Sequence, residues 1–455
     1  MASYEALAMS GVVHVIGAGL AGLAAAVALA GAGREVRIYE ASAHAGGRCR
    51  SYFDAELDCR VDNGNHLLLA GNRRALHYIE QIGARGTLDG PEEAVFAFID
   101  ATTGRRWVLR PNRGRLPWWI AQPSRRVPRT RATDYLEALR LRRAGRAAAV
   151  GDVLNRQHPL FVRLWQPLAV AALNTGVEQA SARLFWRTLA ETLGRGGAAC
   201  RPLVPRRGLS ETFVDPALAT LRRTGASCHF GARLRALDFS GERVGLLHFD
   251  NGSVELAPED AVILATPALV AARLVPGLTV PDLYSPIVNA HFRYGAPSGS
   301  PLFVGVIGGT AEWIFRKRQV LSVTVSAAQH IVDRPADELA EILWREVAAV
   351  YELPSVPAPV ARIVKERRAT FLASPEQLLR RPAAATRWSN LMLAGDYTDT
   401  GLPATIEGAV ASGFTAARRV LAPGDRATLS ANRPITRRFA AAWPRNRREQ
   451  GLCPR

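Results

Sequence analysis

Lysine is almost absent. The 455-residue chain holds only Lys317 and Lys365, so its formal charge of +18 is carried nearly wholly by arginine. Cysteine is also sparse: Cys49, Cys59, Cys200, Cys228 and Cys453 are scattered, odd in number and never form C-x-x-C. That spacing excludes a disulfide framework and a zinc site, so no metal is expected, and it fits free thiols in a reducing, cytoplasmic compartment. Internal repeats and Pro-rich or Ser-rich low complexity are missing. Long uncharged stretches are missing too, with one exception from Gly11 to Gly33, which imitates a membrane span or signal peptide. No basic stretch precedes it, and its glycines fall where a strand, a turn and a helix would place them. The expectation is a soluble or peripherally bound protein.

Arginine and alanine are abundant together. This reflects either a compositional bias of the genome or a basic face that meets anionic lipid headgroups, on the inner side of the cytoplasmic membrane. Nucleic acid is not an expected partner, because no recognisable nucleic-acid module accompanies the charge.

Length predicts more than one core, arranged as two interleaved domains. The N-terminal unit is explicit. Val12-Val13-His14-Val15-Ile16 suits a buried parallel strand. It enters Gly17-Ala18-Gly19-Leu20-Ala21-Gly22, a complete G-x-G-x-x-G, followed by a helix to about Ala32 and a second strand that delivers Glu40 and Ala41. Gly17 permits the tight turn, Gly19 lets the backbone approach a pyrophosphate, and Gly22 lets the helix pack on the sheet. The helix N-terminus, at Leu20 and Ala21, offers free N–H groups to phosphate. Glu40 would accept hydrogen bonds from the adenosine ribose and repel a 2′-phosphate, which argues against NADP.

Ala45-Gly46-Gly47-Arg48 follows directly. Near the other end, Asn390 to Ala394 reads as a buried strand that runs into Gly395-Asp396, then Thr405-Ile406-Glu407-Gly408-Ala409 opens a helix. Together these elements resemble the flavin amine oxidase, phytoene desaturase and protoporphyrinogen oxidase superfamily. The resemblance implies FAD as cofactor. Gly46, Gly47 and Arg48 would lie at the phosphates and flavin, Gly395 and Asp396 at the ribityl chain, and Thr405 and Ile406 at the pyrimidine end. No cysteine lies in the C-terminal motif, which favours noncovalent binding.

A narrower resemblance rests on Asp62-Asn63-Gly64-Asn65-His66, Leu116-Pro117-Trp118-Trp119, Ala172-Leu173-Asn174-Thr175, Cys200 to Pro205, Asn289-Ala290-His291-Phe292 and Gly401 to Gly408. From about Val12 to Val420 the chain is similar to the hydroxysqualene dehydroxylase family, the squalene-associated FAD-dependent desaturases of hopanoid biosynthesis. That resemblance implies reductive loss of an allylic hydroxyl, with hydride passing from reduced flavin N5 to an allylic cation, and a general acid for the departing oxygen. His66 and His291 are candidates for the acid, with Asp62 as orienting partner. Asn63, Gly64 and Asn65 would border the cofactor. The electron donor that reduces FAD is not readable from the residues.

The fold expected is α/β, a Rossmann-like FAD-binding domain interleaved with an α+β substrate domain. The FAD-binding parts span 11–90, 201–275 and 376–425. A helical part of the substrate domain covers 91–200 and a sheet part 276–375, with a basic tail over 426–455. Tyr135, Leu136, Leu139 and Leu141 suggest an amphipathic helix, as do Leu160, Phe161, Leu164, Trp165 and Leu168. Such helices would line an apolar tunnel for an isoprenoid substrate. Trp118 and Trp119, among Arg113, Arg115, Arg125 and Arg126, would anchor at a headgroup interface. Two other readings compete. One is a phytoene-like desaturase or amine oxidase that runs the flavin oxidatively. The other is a noncatalytic flavoprotein that relays lipid.

Overall fold

The computed structural model describes residues 11–354 and 357–421. The tail expected over 426–455 lies outside the described residues. In chain order, the elements used below are β1 (Val13–Ile16), α1 (Leu20–Gly31), β2 (Val36–Glu40), β3 (Ser51–Asp54), β4 (Cys59–Asp62), α2 (Arg73–Gln81), β5 (Phe96–Asp100), β6 (Arg106–Leu109) and α3 (Gln166–Leu173). They continue with β7 (Ser227–Phe230), β8 (Ala261–Leu264), β9 (Tyr284–Phe292), β10 (Phe303–Ile307), β11 (Trp313–Arg316), β12 (Leu321–Val325), α4 (Ala336–Tyr351), β13 (Ala361–Phe371), β14 (Leu391–Leu393) and α5 (Ile406–Val420).

The first layer is a parallel five-stranded sheet in the order β7-β2-β1-β8-β14. Its central strand β1 is buried at every residue, as expected for a strand covered on both faces. The uncharged run at 11–33 is explained by α1, whose residues from Leu20 to Ala30 are all buried. At 12 residues it would extend only about 18 Å, well short of a bilayer. No helix among the described residues is long and apolar enough to cross a membrane. Alanine and glycine dominate α1 because α5 packs on it with backbones nearly touching. A Cβ on Gly413 would lie 2.1 Å from the Ala21 carbonyl oxygen.

The second sheet has seven strands in the order β13-β9-β12-β11-β10-β5-β6, antiparallel except where β10 runs parallel to β5. One face packs on α4 through Val288, Ala290, Phe292, Val323 and Leu343. The other carries Asn289, His291, Ser322 and Thr324, all buried polar residues. The stretch expected to be helical, 91–200, opens with two strands of this sheet, β5 and β6.

The helical reading of 133–141 also needs correction. Residues Ala132–Ala138 form a 3₁₀ helix followed by one short α-turn, Leu139–Arg142. Tyr135, Ala138 and Leu141 are buried, while Leu136 and Leu139 are 58% and 53% exposed. A spacing of three keeps the buried residues in line on a three-residue turn, which leaves the other two leucines outside.

Candidate active site

Gly17 ends β1 with φ of 107°, and a Cβ there would meet the Ala265 carbonyl oxygen at 2.6 Å. Gly22 sits even closer to the turn, since its Cβ would fall 1.9 Å from the Gly17 oxygen. Gly19 is different: nothing lies within 4 Å of its missing side chain. It caps α1, whose first turn has no side-chain cap and no acidic residue. The N–H groups of the Leu20–Gly22 turn and the positive end of the helix therefore face open space at Gly19, an arrangement that receives a pyrophosphate.

Glu40 ends β2 with its carboxylate fixed by the N–H groups of Ala18 (2.8 Å) and Ser42 (2.9 Å). Ala41 beside it is exposed. The second glycine pair docks on the first. Gly46 forms a parallel bridge with Gly19 and donates to the Ala18 oxygen at 2.8 Å, and a Cβ on Gly47 would be 3.5 Å from the Gly19 Cα.

Arg48 joins the two ends of the chain. Its guanidinium pairs with Asp396 at 2.8 Å and donates to the Ala369 oxygen at 2.6 Å. Protein surrounds this side chain, yet 48% of it remains accessible, so its open part faces an internal cleft. Asp396 raises the Arg48 pKa still further, against burial, so the cation is permanent. Gly395 is tied to α5 through its N–H and the Ser412 hydroxyl, 2.8 Å apart. Thr405 caps α5 by accepting from the Gly408 N–H at 3.1 Å, and Ile406 begins the helix buried. Glu407 turns away from this cleft and accepts from the N–H groups of Arg74 and Ala75 at the start of α2.

The loop after β14 has an organiser that sequence reasoning missed. Arg381 is 7% exposed and donates to the carbonyl oxygens of Asp396 (3.1 Å) and Leu402 (2.8 Å). Burial pulls its pKa down to about 10, so it stays charged at neutral pH and holds the Gly-Asp loop in shape.

The Asp62–His66 element leaves β4 and runs onto the polar face of the second sheet. Asp62 is 4% exposed and pairs with Lys317 at 2.6 Å, while accepting from the Ser51 hydroxyl (2.6 Å) and the Leu209 N–H (2.8 Å). Burial pushes its carboxyl up, but Lys317 and these donors outweigh that and hold it below the usual range. Lys365 lies elsewhere, bonded to the Arg334 oxygen. Asn63 reaches the Arg48 carbonyl at 3.4 Å, and Gly64 lies against Asn289. Asn65 accepts from Ser322 (2.9 Å) and donates to Thr324 (3.0 Å), which bonds Asn289 at 2.8 Å.

His291 is fully buried and its Nδ1 is 2.6 Å from the Ser322 hydroxyl. Burial drives its pKa down to about 3. His66 is only partly buried, and its pKa falls to about 4 through desolvation, with Asp62 opposing and Lys317 and Arg48 adding to the fall. The charges it feels are therefore those of Asp62, Lys317 and Arg48. Both imidazoles are neutral at pH 7.

Glu312, a second residue missed in the sequence, precedes β11. Its carboxylate accepts from the Ser326 N–H at 2.7 Å, with no cation paired to it among the described residues. Burial raises its pKa to about 7. Its own N–H donates to the Thr324 oxygen, so it adjoins the Asn65–Thr324 cluster. No local motif marks it, because its neighbours come from distant strands.

The residues fit FAD. An uncapped helix N-terminus, a second glycine pair and the Glu40 carboxylate meet around Ala18 and Gly19, and the cleft beyond carries a cation. Two buried hydroxyls on the loops that follow β8 and β14, Thr266 and Tyr397, have no hydrogen-bond partner. Such groups await a polar ligand.

This architecture defines a flavin-dependent oxidoreductase of the amine oxidase fold, and the comparisons agree. The sequence matches the flavin containing amine oxidoreductase family over residues 20–421. Cyclohexylamine oxidase from Brevibacterium oxydans shares the fold at 14% identity, with a TM-score of 0.63 over 90% of this chain and 98% of that one. Within that superfamily, the chain belongs to the hydroxysqualene dehydroxylase family. It is 50% identical over 417 residues to hydroxysqualene dehydroxylase of Rhodopseudomonas palustris, covering 91% of this chain and 100% of the relative. It is 46% identical over 405 residues to hydroxysqualene dehydroxylase of Sinorhizobium fredii, covering 89% and 97%.

Proposed function

We propose that this chain converts hydroxysqualene to squalene. The observation that carries the reading is the near-full-length identity to the Rhodopseudomonas relative, joined to a cleft whose residues fit FAD. In the net change a C–O bond is replaced by C–H and water is released, and the bound reduced FAD supplies the hydride. Oxygen leaves with the bonding electron pair and needs a proton as it goes.

The chain's own groups divide that work. Gly19, Leu20, Ala21 and Gly22 bind pyrophosphate, Glu40 and Ala41 meet the adenosine ribose, and Gly46, Gly47 and Arg48 close over the phosphates. Gly395, Asp396, Thr405 and Ile406 take the other end. Asp62, Asn63, Gly64 and Asn65 position the loop that carries His66, with His291 fixing the sheet beneath. We assign the proton to Glu312. It is neutral below about pH 7, whereas His66 and His291 hold no extra proton there and Asp62 is ionised. Phe98, Trp107 and Trp313 pack together in the core beside Glu312, and apolar walls of this kind would keep out water that traps an allylic cation. The chain would work in the cytoplasm, touching the inner face of the membrane that holds its apolar substrate.

The test is product formation. Purified, FAD-loaded protein given a chemical reductant should yield squalene from hydroxysqualene. Consumption of squalene or phytoene by the oxidised protein, with no squalene formed, would replace this reading with a desaturase.

A further inference from the structure

Half of the chain's net charge lies in one short stretch. Residues 110–146 hold eleven arginines against Asp134 and Glu137, a net of +9 out of +18. Among the described residues only Arg140 of these eleven forms an ion pair, with Glu137 at 3.7 Å. Charges left unpaired at this density repel one another, and a folded protein keeps them where an anionic partner offsets the cost.

The same stretch turns apolar side chains outward. Leu116 is 81% exposed and Trp118 50%, alongside Leu136 and Leu139. The inner side of the stretch is well anchored, since Trp119, Tyr135 and Leu141 are buried and the Trp119 and Tyr135 rings meet edge to face at 5.3 Å. The outward leucines and tryptophan are therefore held in place by a rigid base. Arg125 lies over the Trp118 ring at 4.9 Å. Around this pair is an open depression of about 500 Å³ lined by Arg113, Arg115, Leu116 and Trp118, with Glu93 the single acidic group in its wall. Three guanidiniums and an indole lining one depression match a lipid phosphate with its acyl chain beside it.

We propose that the outer surface of residues 110–146 docks on an anionic bilayer. Leu116, Trp118, Leu136 and Leu139 enter at the headgroup level, and the unpaired arginines meet lipid phosphates. Each basic group near such a surface adds to binding, and two kinds of contact together give a stable peripheral attachment. This deepens the functional reading by supplying the route of an apolar thirty-carbon substrate, and it rests on that reading only for its purpose. The binding itself stands on charge and exposure.

The experiment is sedimentation of the full FAD-loaded chain with vesicles of phosphatidylcholine alone, and with about one-third phosphatidylglycerol. Binding is expected only with the anionic vesicles, with a blue shift in tryptophan emission, and weakening as salt rises. The double variant Leu116→Ser with Trp118→Ser should lower the partition coefficient more than tenfold with the flavin spectrum unchanged. Arg113→Glu with Arg115→Glu should do the same. Because these changes leave residues 422–455 intact, undiminished binding by both variants would overturn the proposal. So would equal binding to neutral vesicles, or tight binding to duplex DNA with none to vesicles. A protein that binds anionic vesicles as described yet forms no squalene from detergent-dispersed substrate would sink the reaction and leave the docking surface standing.

Discussion

Replacing Glu312 by glutamine removes a titratable proton while keeping the shape of the side chain and an oxygen for the Ser326 N–H. Burial lifts the carboxyl from 4.5 to about 7. The folded chain then holds this proton more tightly than the unfolded chain between those two values. Its contribution to stability is complete below pH 4.5 and is lost as pH rises through 7. At about 1.4 kcal/mol per pH unit, the loss is on the order of 3 kcal/mol. Denaturant titrations should show Glu312→Gln gaining stability over the parent by roughly that amount between about pH 4.5 and pH 8. Turnover should fall by about two to four orders of magnitude, the usual worth of a positioned acid, and the decline of activity above neutral pH should vanish. Flavin absorbance should be unchanged. A variant that turns over normally with the parental pH profile would refute the assignment of the proton. A stability difference flat with pH would refute the buried, neutral carboxyl.

Gly22→Ala places a methyl group 1.9 Å from the Gly17 oxygen, so the turn must open, and the purified protein should be colourless, as its visible spectrum will show. Arg48→Ala leaves the largely buried Asp396 carboxylate without its cation. It should weaken FAD retention at least tenfold in equilibrium dialysis and lower the melting temperature, while Arg48→Lys restores charge but not the second bond to Ala369. Acid should destabilise the fold. The folded-state pKa values of about 4 and 3 for His66 and His291 lie below the 6.5 of the unfolded chain, so the unfolded state binds more protons as pH falls below 6.5. The two imidazoles outweigh the opposite trend of Glu312, so melting temperatures should drop as pH falls from about 6.5 towards 4, and His291→Asn should reduce that slope.

Local spacing made the nucleotide turn legible. Gly17, Gly19, Gly22 and Glu40 lie within one strand-helix-strand unit, and each has a steric or polar duty that follows from its position. The meeting of Arg48 with Asp396 was legible only through resemblance, since nothing in either segment names the other. Arg381, Glu312 and the Asn65–Ser322–Thr324 network were not legible at all. Each is an ordinary polar residue until distant segments meet around it: the loop after β14 around Arg381, and β9, β11 and β12 around Glu312 and the network. At 133–141 the reading failed for a geometric reason. Leu136 and Leu139 look core-facing at 3.6 residues per turn, but the backbone from Ala132 to Ala138 turns every three before one α-turn follows. That failure matters, because it is what leaves those leucines on the surface proposed to meet lipid.

The proposed reaction moves one electron pair from the flavin as one new C–H bond forms in the substrate. Protein reduced photochemically without oxygen and mixed with hydroxysqualene should regain its oxidised flavin spectrum in a single turnover, with one squalene per flavin. A flavin that stays reduced while folded protein and substrate are both present would contradict it.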